Sequence, residues 1–354
     1  MKTLNYYLWG ATLQGILITS FALVTLLTFF AFIDEAGKTD AIYTNLHAAI
    51  YLVFKLPSIF YEYFPVMTLI GALLGLGALS ANSEFTAMRA AGLSVKQLIF
   101  SVLKLGFLLA LGIFIVGEWL VPMSDLHARN FKAHLQSKNI VLVGGEGLWV
   151  KEHNSIIHIG KVINERELAN ISIYTFKSGH KGLKTLLTSS KATASSDGWL
   201  LSNSQETIFE DSRLLKNKQA ERLKANLIRP ELLGVATIEP SQLSSKSLTQ
   251  IIQHQKQNNL NTDKYELIYW KRYSVPLSAL VMLLLAMPFL FGSNRSGGAG
   301  TRLFIGIVVG IVFSLVNRSI NELGIVYGFS PIVSAFLPLL LFLIIGLFAI
   351  SRIR

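Results

Sequence analysis

FPVMTLIGALLGLGALSANSEFTAMRAAG, residues 64–92, joins two solvents. From Tyr63 to Ser83 the chain carries no charge over 21 residues, close to the ~20 that an α-helix needs to cross ~30 Å of hydrocarbon. Gly71 and Gly75 stand four apart inside that run, a small-xxx-small pair that lets a second helix approach closely. Ser80, Asn82 and Ser83 then break out of the apolar run. The short segment that follows carries Glu84, Phe85, Met88 and Arg89 and is closed by Gly92. In helical phase Phe85, Met88 and Gly92 share one side. Two readings stay open: an amphipathic elbow through which a membrane helix feels a cytoplasmic partner, and a solvated loop between two spans.

The chain has 354 residues, 51% hydrophobic and 15% charged, too apolar for a soluble protein of this length. With no cysteine, disulfides and thiolate metal sites are excluded. The net charge of +11 points to membrane orientation and lipid headgroups. No nucleic-acid-binding signature accompanies it. The apolar run Thr12–Ile33 is longer than a signal-peptide core and lacks a small-x-small cleavage site, so it reads as an uncleaved first span.

Six spans follow: about Thr12–Ile33, Tyr63–Ser83, Leu98–Val121, Tyr273–Gly292, Thr301–Asn321 and Phe329–Ile350. With both termini cytoplasmic, the short inner segments hold Lys2, Arg89, Lys96, Lys104, Arg295, Arg302, Arg352 and Arg354 against Glu84 alone. The short outer loops hold Lys38 and Lys55 against Asp34, Glu35, Asp40 and Glu62. This positive-inside pattern sends the polar block of about 145 residues, Met123–Glu266, to the outer side, the periplasm in a bacterium. The block is large enough for a domain of its own.

That block reads as β. Asn170–Lys177, NISIYTFK, alternates Ile171, Ile173 and Thr175 against Tyr174 and Phe176. Asp197-Gly198 between KATASS and WLLSNSQETIF is a hairpin signal. Ile156–Val162 and Arg222–Leu227 read as further strands, so an antiparallel sandwich or jelly roll is expected. SLTQIIQHQKQ after Pro240 reads as a short helix returning to the membrane.

Catalytic parts are missing. No phosphate-cradling P-loop and no H-E-x-x-H occurs. His153 and His158 read as solvated sheet residues, and Gly144-Gly145-Glu146-Gly147 as a turn. The spans lack the interior acid and histidine series of a proton relay, so any work must draw energy from elsewhere. The informative charges gather at the outer membrane boundary: Lys38, Arg129, Lys132, Lys271, Arg272 and Arg318. Interfacial snorkelling explains them singly. Together they read as a basic collar at headgroup height, suited to a phosphorylated lipid. For Arg318 both readings stay open, and Glu322 four residues on permits a local ion pair.

These residues resemble those of the LptF/LptG permeases of the lipopolysaccharide export transporter, over nearly the whole chain. The likeness rests on residues 64–92, on GEWLVP (Gly117–Pro122) followed by ARN (Ala128–Asn130), on GLWVK (Gly147–Lys151) and on PLSALVMLLLAMPFLFG (Pro276–Gly292). The GALLGLG run and the GEWLVP–ARN pair look more like the G subunit than the F subunit. The resemblance implies six transmembrane helices with a periplasmic β-jelly-roll inserted between the third and fourth, in the inner membrane of a Gram-negative bacterium. It implies an F-type permease partner, two copies of a cytoplasmic ATPase subunit that bind the ATP, and a periplasmic β-jelly-roll bridge protein. No cofactor or nucleic acid is implied. The coupling helix falls on about Ser80–Lys96, with Glu84, Phe85, Met88 and Arg89 as the ATPase contact. Arg129 and Lys132 match basic positions associated with lipopolysaccharide. Relatives can carry a lysine where this sequence has Ala31, and the basic pair beyond is reduced here to Gly37 and Lys38.

The physical problem is extraction. Each buried CH₂ is worth ~0.8 kcal/mol, so drawing a dodecanoyl chain into water costs about 9 kcal/mol. The path must therefore stay apolar, which the Phe- and Leu-rich first and fifth spans permit. A lipoprotein-releasing permease would place its large outer domain after the first span, and a sensor would need a cytoplasmic output module. Neither pattern occurs here.

Overall fold

The computed structural model describes residues 2–39, 42–135, 148–152, 155–164, 167–177, 182–195, 198–210, 213–224, 240–291 and 299–352. The chain divides into two compact units, Met1–Arg129 with Asp263–Arg354, and Asn130–Thr262.

The first unit is helical. It contains α1 (Lys2–Ala36), α2 (Asn45–Ala81), the short α3 (Glu84–Ala90), α4 (Val95–Ile115), a π-helical turn (Val116–Leu120) and most of α5 (Val121–Leu135). With α6 (Ser245–Gln257) lying in the other unit, α7 (Asp263–Phe291), α8 (Ala299–Tyr327) and α9 (Pro331–Ser351) complete it. Among the described residues six helical stretches are long and apolar enough to cross a membrane, as expected. The second span is longer than the uncharged run predicts, because α2 starts at Asn45 and carries Lys55, Pro57, Glu62 and Pro65 within it. At 1.5 Å per residue its 37 residues reach roughly 55 Å, well beyond the hydrocarbon core.

The packing hub is α7, whose Met282, Leu283, Met287 and Leu290 meet the Leu69–Leu76 face of α2 and Leu98 and Val102 of α4. Its most apolar window is 78% buried, against 17% for α1 and 17% for α8. The pair Gly71 and Gly75 does what its spacing predicts: α1 crosses there. A Cβ on Gly15 of α1 would stand 2.7 Å from the Gly75 nitrogen, and one on Gly75 would run into the Ala11 carbonyl. Backbone-to-backbone contact of this kind needs hydrogen in place of side chains.

Polar side chains lock the remaining crossings. Trp9 Nε1 donates to the Ser101 carbonyl at 2.8 Å, and Ser80 Oγ to the Leu290 carbonyl at 3.1 Å. Ser94 caps α4 with a reciprocal Ser94–Gln97 capping box. The turn between α3 and α4 is closed by Gly92 at φ +93°, a conformation that favours glycine.

Among its described residues the second unit holds one antiparallel sheet of six strands in sequence order: β1 (Leu148–Glu152), β2 (Ser155–Asn164), β3 (Glu167–Phe176), β4 (Leu183–Ser195), β5 (Gly198–Glu210) and β6 (Arg213–Lys224). Ile171 and Ile173 face inward as their alternation predicts, joined by Ile157, Ile159, Leu187, Trp199 and Leu201. The hairpin expected at Asp197-Gly198 joins β4 to β5, with Ser195 paired to Gly198. On the other face Trp149 covers His158 at 4.4 Å between ring centroids. The Gly144–Gly147 turn, His153 and residues 225–227 lie outside the described residues.

Candidate functional site

Two regions of the helical unit bear on function. The first is the elbow. Ser83, in the left-handed conformation at φ +59°, turns the chain from α2 into α3. Glu84 opens α3, where a carboxylate favours the helix N-terminus. Its Oε2 accepts a hydrogen bond from the Tyr7 hydroxyl at 2.6 Å. Phe85, expected in the ATPase contact, is instead turned inward: it is 3% exposed and packs against Phe291 at 4.8 Å between ring centroids. The side shared by Phe85 and Met88 faces this bundle's own core, because only that side can be desolvated by α7. The outward face of α3 is formed by Thr86, Ala87, Arg89 and Ala90.

The second region is the boundary of the spans. Arg272 corrects the basic-collar expectation. It is 5% exposed, and its Nη1 donates to the Gly117 carbonyl at 2.9 Å and to Glu118 Oε2 at 3.1 Å. The π turn brings both acceptors to it, and the ring of Tyr61 occupies the space a Gly117 side chain would need. Two further basic residues are also engaged by acids of this chain. Lys38 pairs with Asp34 at 2.6 Å and with Glu35 at 3.6 Å, and the Asp34 hydrogen bond holds its ammonium above the usual lysine range. Lys55 pairs with Asp125 at 3.5 Å, which also accepts from Ser58. Burial, with help from Glu35, pushes the Tyr43 phenol up.

Two basic residues stand differently. Arg318 is exposed, and no salt bridge joins it to Glu322. Arg129 is half-buried, and its Nη1 is buried with no hydrogen-bond partner among the described residues. Lys132 is half-buried in the last turns of α5.

Between α1 and α2 lies an apolar cavity of about 700 Å³, lined by Phe21, Val24, Phe29, Phe32, Leu52 and Phe60 among others. Phe21, Phe29 and Phe30 of α1 and Phe304, Ile311 and Leu315 of α8 remain exposed, so both helices present apolar faces that no described residue covers. Sequence reasoning missed Tyr7 as the partner of Glu84. Nothing in the sequence ties Tyr7 to a residue 77 positions on. Among the described residues no cluster of three metal-ligating side chains exists.

The profile of the family described as "Lipopolysaccharide export system permease LptF/LptG" matches residues 6–352. The chain is 33% identical over 356 residues to "Lipopolysaccharide export system permease protein LptG" of Escherichia coli K12, covering 99% of this chain and 98% of that one. It is 32% identical over 360 residues to the protein of the same name from Haemophilus influenzae, covering 100% and 99%.

Proposed function

Because the chain belongs to the LptF/LptG family of lipopolysaccharide export permeases, we propose that it forms half of a lipid path whose apolar wall is built from α1 and α8. As a multi-pass inner-membrane permease it binds no cofactor of its own. The ATP is held by two copies of a cytoplasmic ATPase subunit, an F-type permease supplies the other half, and a periplasmic bridge protein receives the lipid. Both termini and α3 face the cytoplasm, and the β unit faces the periplasm. The observation that carries this reading is the pair of uncovered apolar faces: 17% burial of the most apolar windows of α1 and α8, in a bundle whose other spans are better packed. An acyl chain needs such a wall, since each CH₂ exposed to water costs ~0.8 kcal/mol.

On this reading Arg129, with a buried nitrogen that has no hydrogen-bond partner among the described residues, Lys132 and the exposed Arg318 meet lipid phosphates. Lys38 does so only when Asp34 releases it. Arg272 holds the third and fourth spans together. Glu84, with Arg89 beside it, receives the ATPase, and closing of the ATPase pair moves α3, narrows the cavity and drives lipid outward.

The test is photo-crosslinking in the assembled transporter, with a benzophenone amino acid at Phe21, at Ile311 and at Ile344 of α9. ATP-dependent adducts with lipopolysaccharide are expected at the first two positions and none at the third. Equal labelling at all three, or labelling indifferent to ATP, refutes the path.

A further inference from the structure

Arg302 lies in the first turn of α8 and is 6% exposed. Its Nη1 donates to the Gly77 carbonyl of α2, while its Nε is buried with no hydrogen-bond partner among the described residues. None of the salt bridges among the described residues involves it. The connection before α8, GSNRSGG at 292–298, adds another arginine and no acid. A guanidinium does not give up its proton. A buried, unpaired one is strongly unfavourable, so the site calls for an anion.

Space for that anion is at hand. A cavity of about 420 Å³ lies beside Arg302, lined also by Gln14 and Ile18 of α1 and Leu73, Leu74 and Ala78 of α2. Gly15, Gly75 and Gly77 also line it. The polar groups, Arg302 and the Gln14 amide, accompany the last turns of α2, next to α3. Ile18, Leu73 and Leu74 supply apolar wall. A charged head over apolar tails fits this lining; a fully hydrated ion fits only its polar part.

We propose that this cavity holds the phosphate of an anionic phospholipid, its oxygen on the Arg302 guanidinium and the Gln14 amide, its acyl chain along Ile18, Leu73 and Leu74. The lipid is a resident of the end of the bundle that carries α3, distinct from the transported cargo. Placing it in the cytoplasmic leaflet rests on the orientation proposed above; the binding itself does not.

The test is native mass spectrometry of the intact transporter equilibrated in nanodiscs of phosphatidylcholine, with or without phosphatidylglycerol of the same chains. The wild type should retain phosphatidylglycerol after dilution into detergent and should not retain phosphatidylcholine. Arg302→Gln should weaken retention about tenfold, the loss of a charge-assisted hydrogen bond, and Arg302→Lys should fall between. If Arg302→Gln fails to assemble, Gln14→Glu decides, because it places a carboxylate in the cavity and should expel the lipid from an intact bundle. Equal retention of both lipids, or unchanged retention in Gln14→Glu, overturns the proposal. So does displacement by excess inorganic phosphate, which would make the ligand a soluble anion, or by lipopolysaccharide, which would make the cavity part of the cargo path. No transport is measured, so this result and that of the α1–α8 crosslinking stand or fall separately.

Discussion

Tyr7 donates its hydroxyl proton to Glu84 at 2.6 Å, which ties the first turns of α1 to the first residue of α3. The helix that presents Phe21 and Phe29 as an apolar wall is therefore bonded to the segment proposed to meet the ATPase. A displacement of α3 reaches α1 without passing through the core.

Tyr7→Phe removes that bond and little else. The pair is exposed, so it adds little to stability, and melting in detergent should barely change. Lipopolysaccharide released per ATP hydrolysed should drop severalfold in proteoliposomes. Glu84→Ala should do the same more severely, with ATP hydrolysis retained; full transport by Glu84→Ala refutes the role of the elbow.

Phe85 separates a core residue from an interface residue. Phe85→Ala empties a packed site against Phe291 and should cost about 3–5 kcal/mol, visible as a lowered melting temperature of the permease pair without ATPase. An unchanged melting point with lost ATPase binding would return Phe85 to the interface.

The α1–α2 crossing offers a paired control. Gly75→Ala drives a methyl group into the Ala11 carbonyl, a clash with backbone that no rotamer relieves, whereas Gly10→Ala meets nothing within 4 Å. The first should reduce assembled protein sharply. The second should be neutral or stabilising by up to ~1 kcal/mol through helix propensity. Yields of folded transporter from membranes compare them.

Arg272 and Glu118 should behave as a buried pair. Either single truncation should destabilise by about 3–5 kcal/mol, while an apolar pair at both positions should recover most of it. Lipopolysaccharide crosslinking in the stable double variant should persist, since this arginine is turned to Glu118.

The orientation is open to direct measurement. The chain contains no cysteine, so a single cysteine at exposed Ser190 of β4 reports one face of the membrane. A membrane-impermeant maleimide should label it from the periplasmic side and leave one at Ala90 unlabelled. The reverse outcome inverts the proposed topology.

How much could be read from the chain depended on the range of the physics. Spans, strands and the Gly71–Gly75 seam follow from patterns a few residues long, and Ile171, Ile173 and the hairpin at Gly198 stand where those patterns put them. The side of α3 that faces inward was not legible. Seven residues give a period but not the location of the neighbour that will desolvate Phe85. Arg272 read as interfacial because its partners sit 154 and 155 positions away, on a turn whose π geometry no local propensity announces. The pairing of Lys38 was within reach of the sequence, since its acids are three and four residues back, and as neighbours they compete with any phosphate.

The π turn at Val116–Leu120 also acts as a phase shifter. One residue more than an α-turn swings everything downstream by about 100°. Upstream, α4 keeps Val102 and Leu105 against the core; downstream, α5 aims Asp125 at Lys55 and Ser58. A single rod thus serves two neighbourhoods that a regular helix could not face at once. Deleting Trp119 alone would re-clock α5, and Asp125 would be the first to lose its partners.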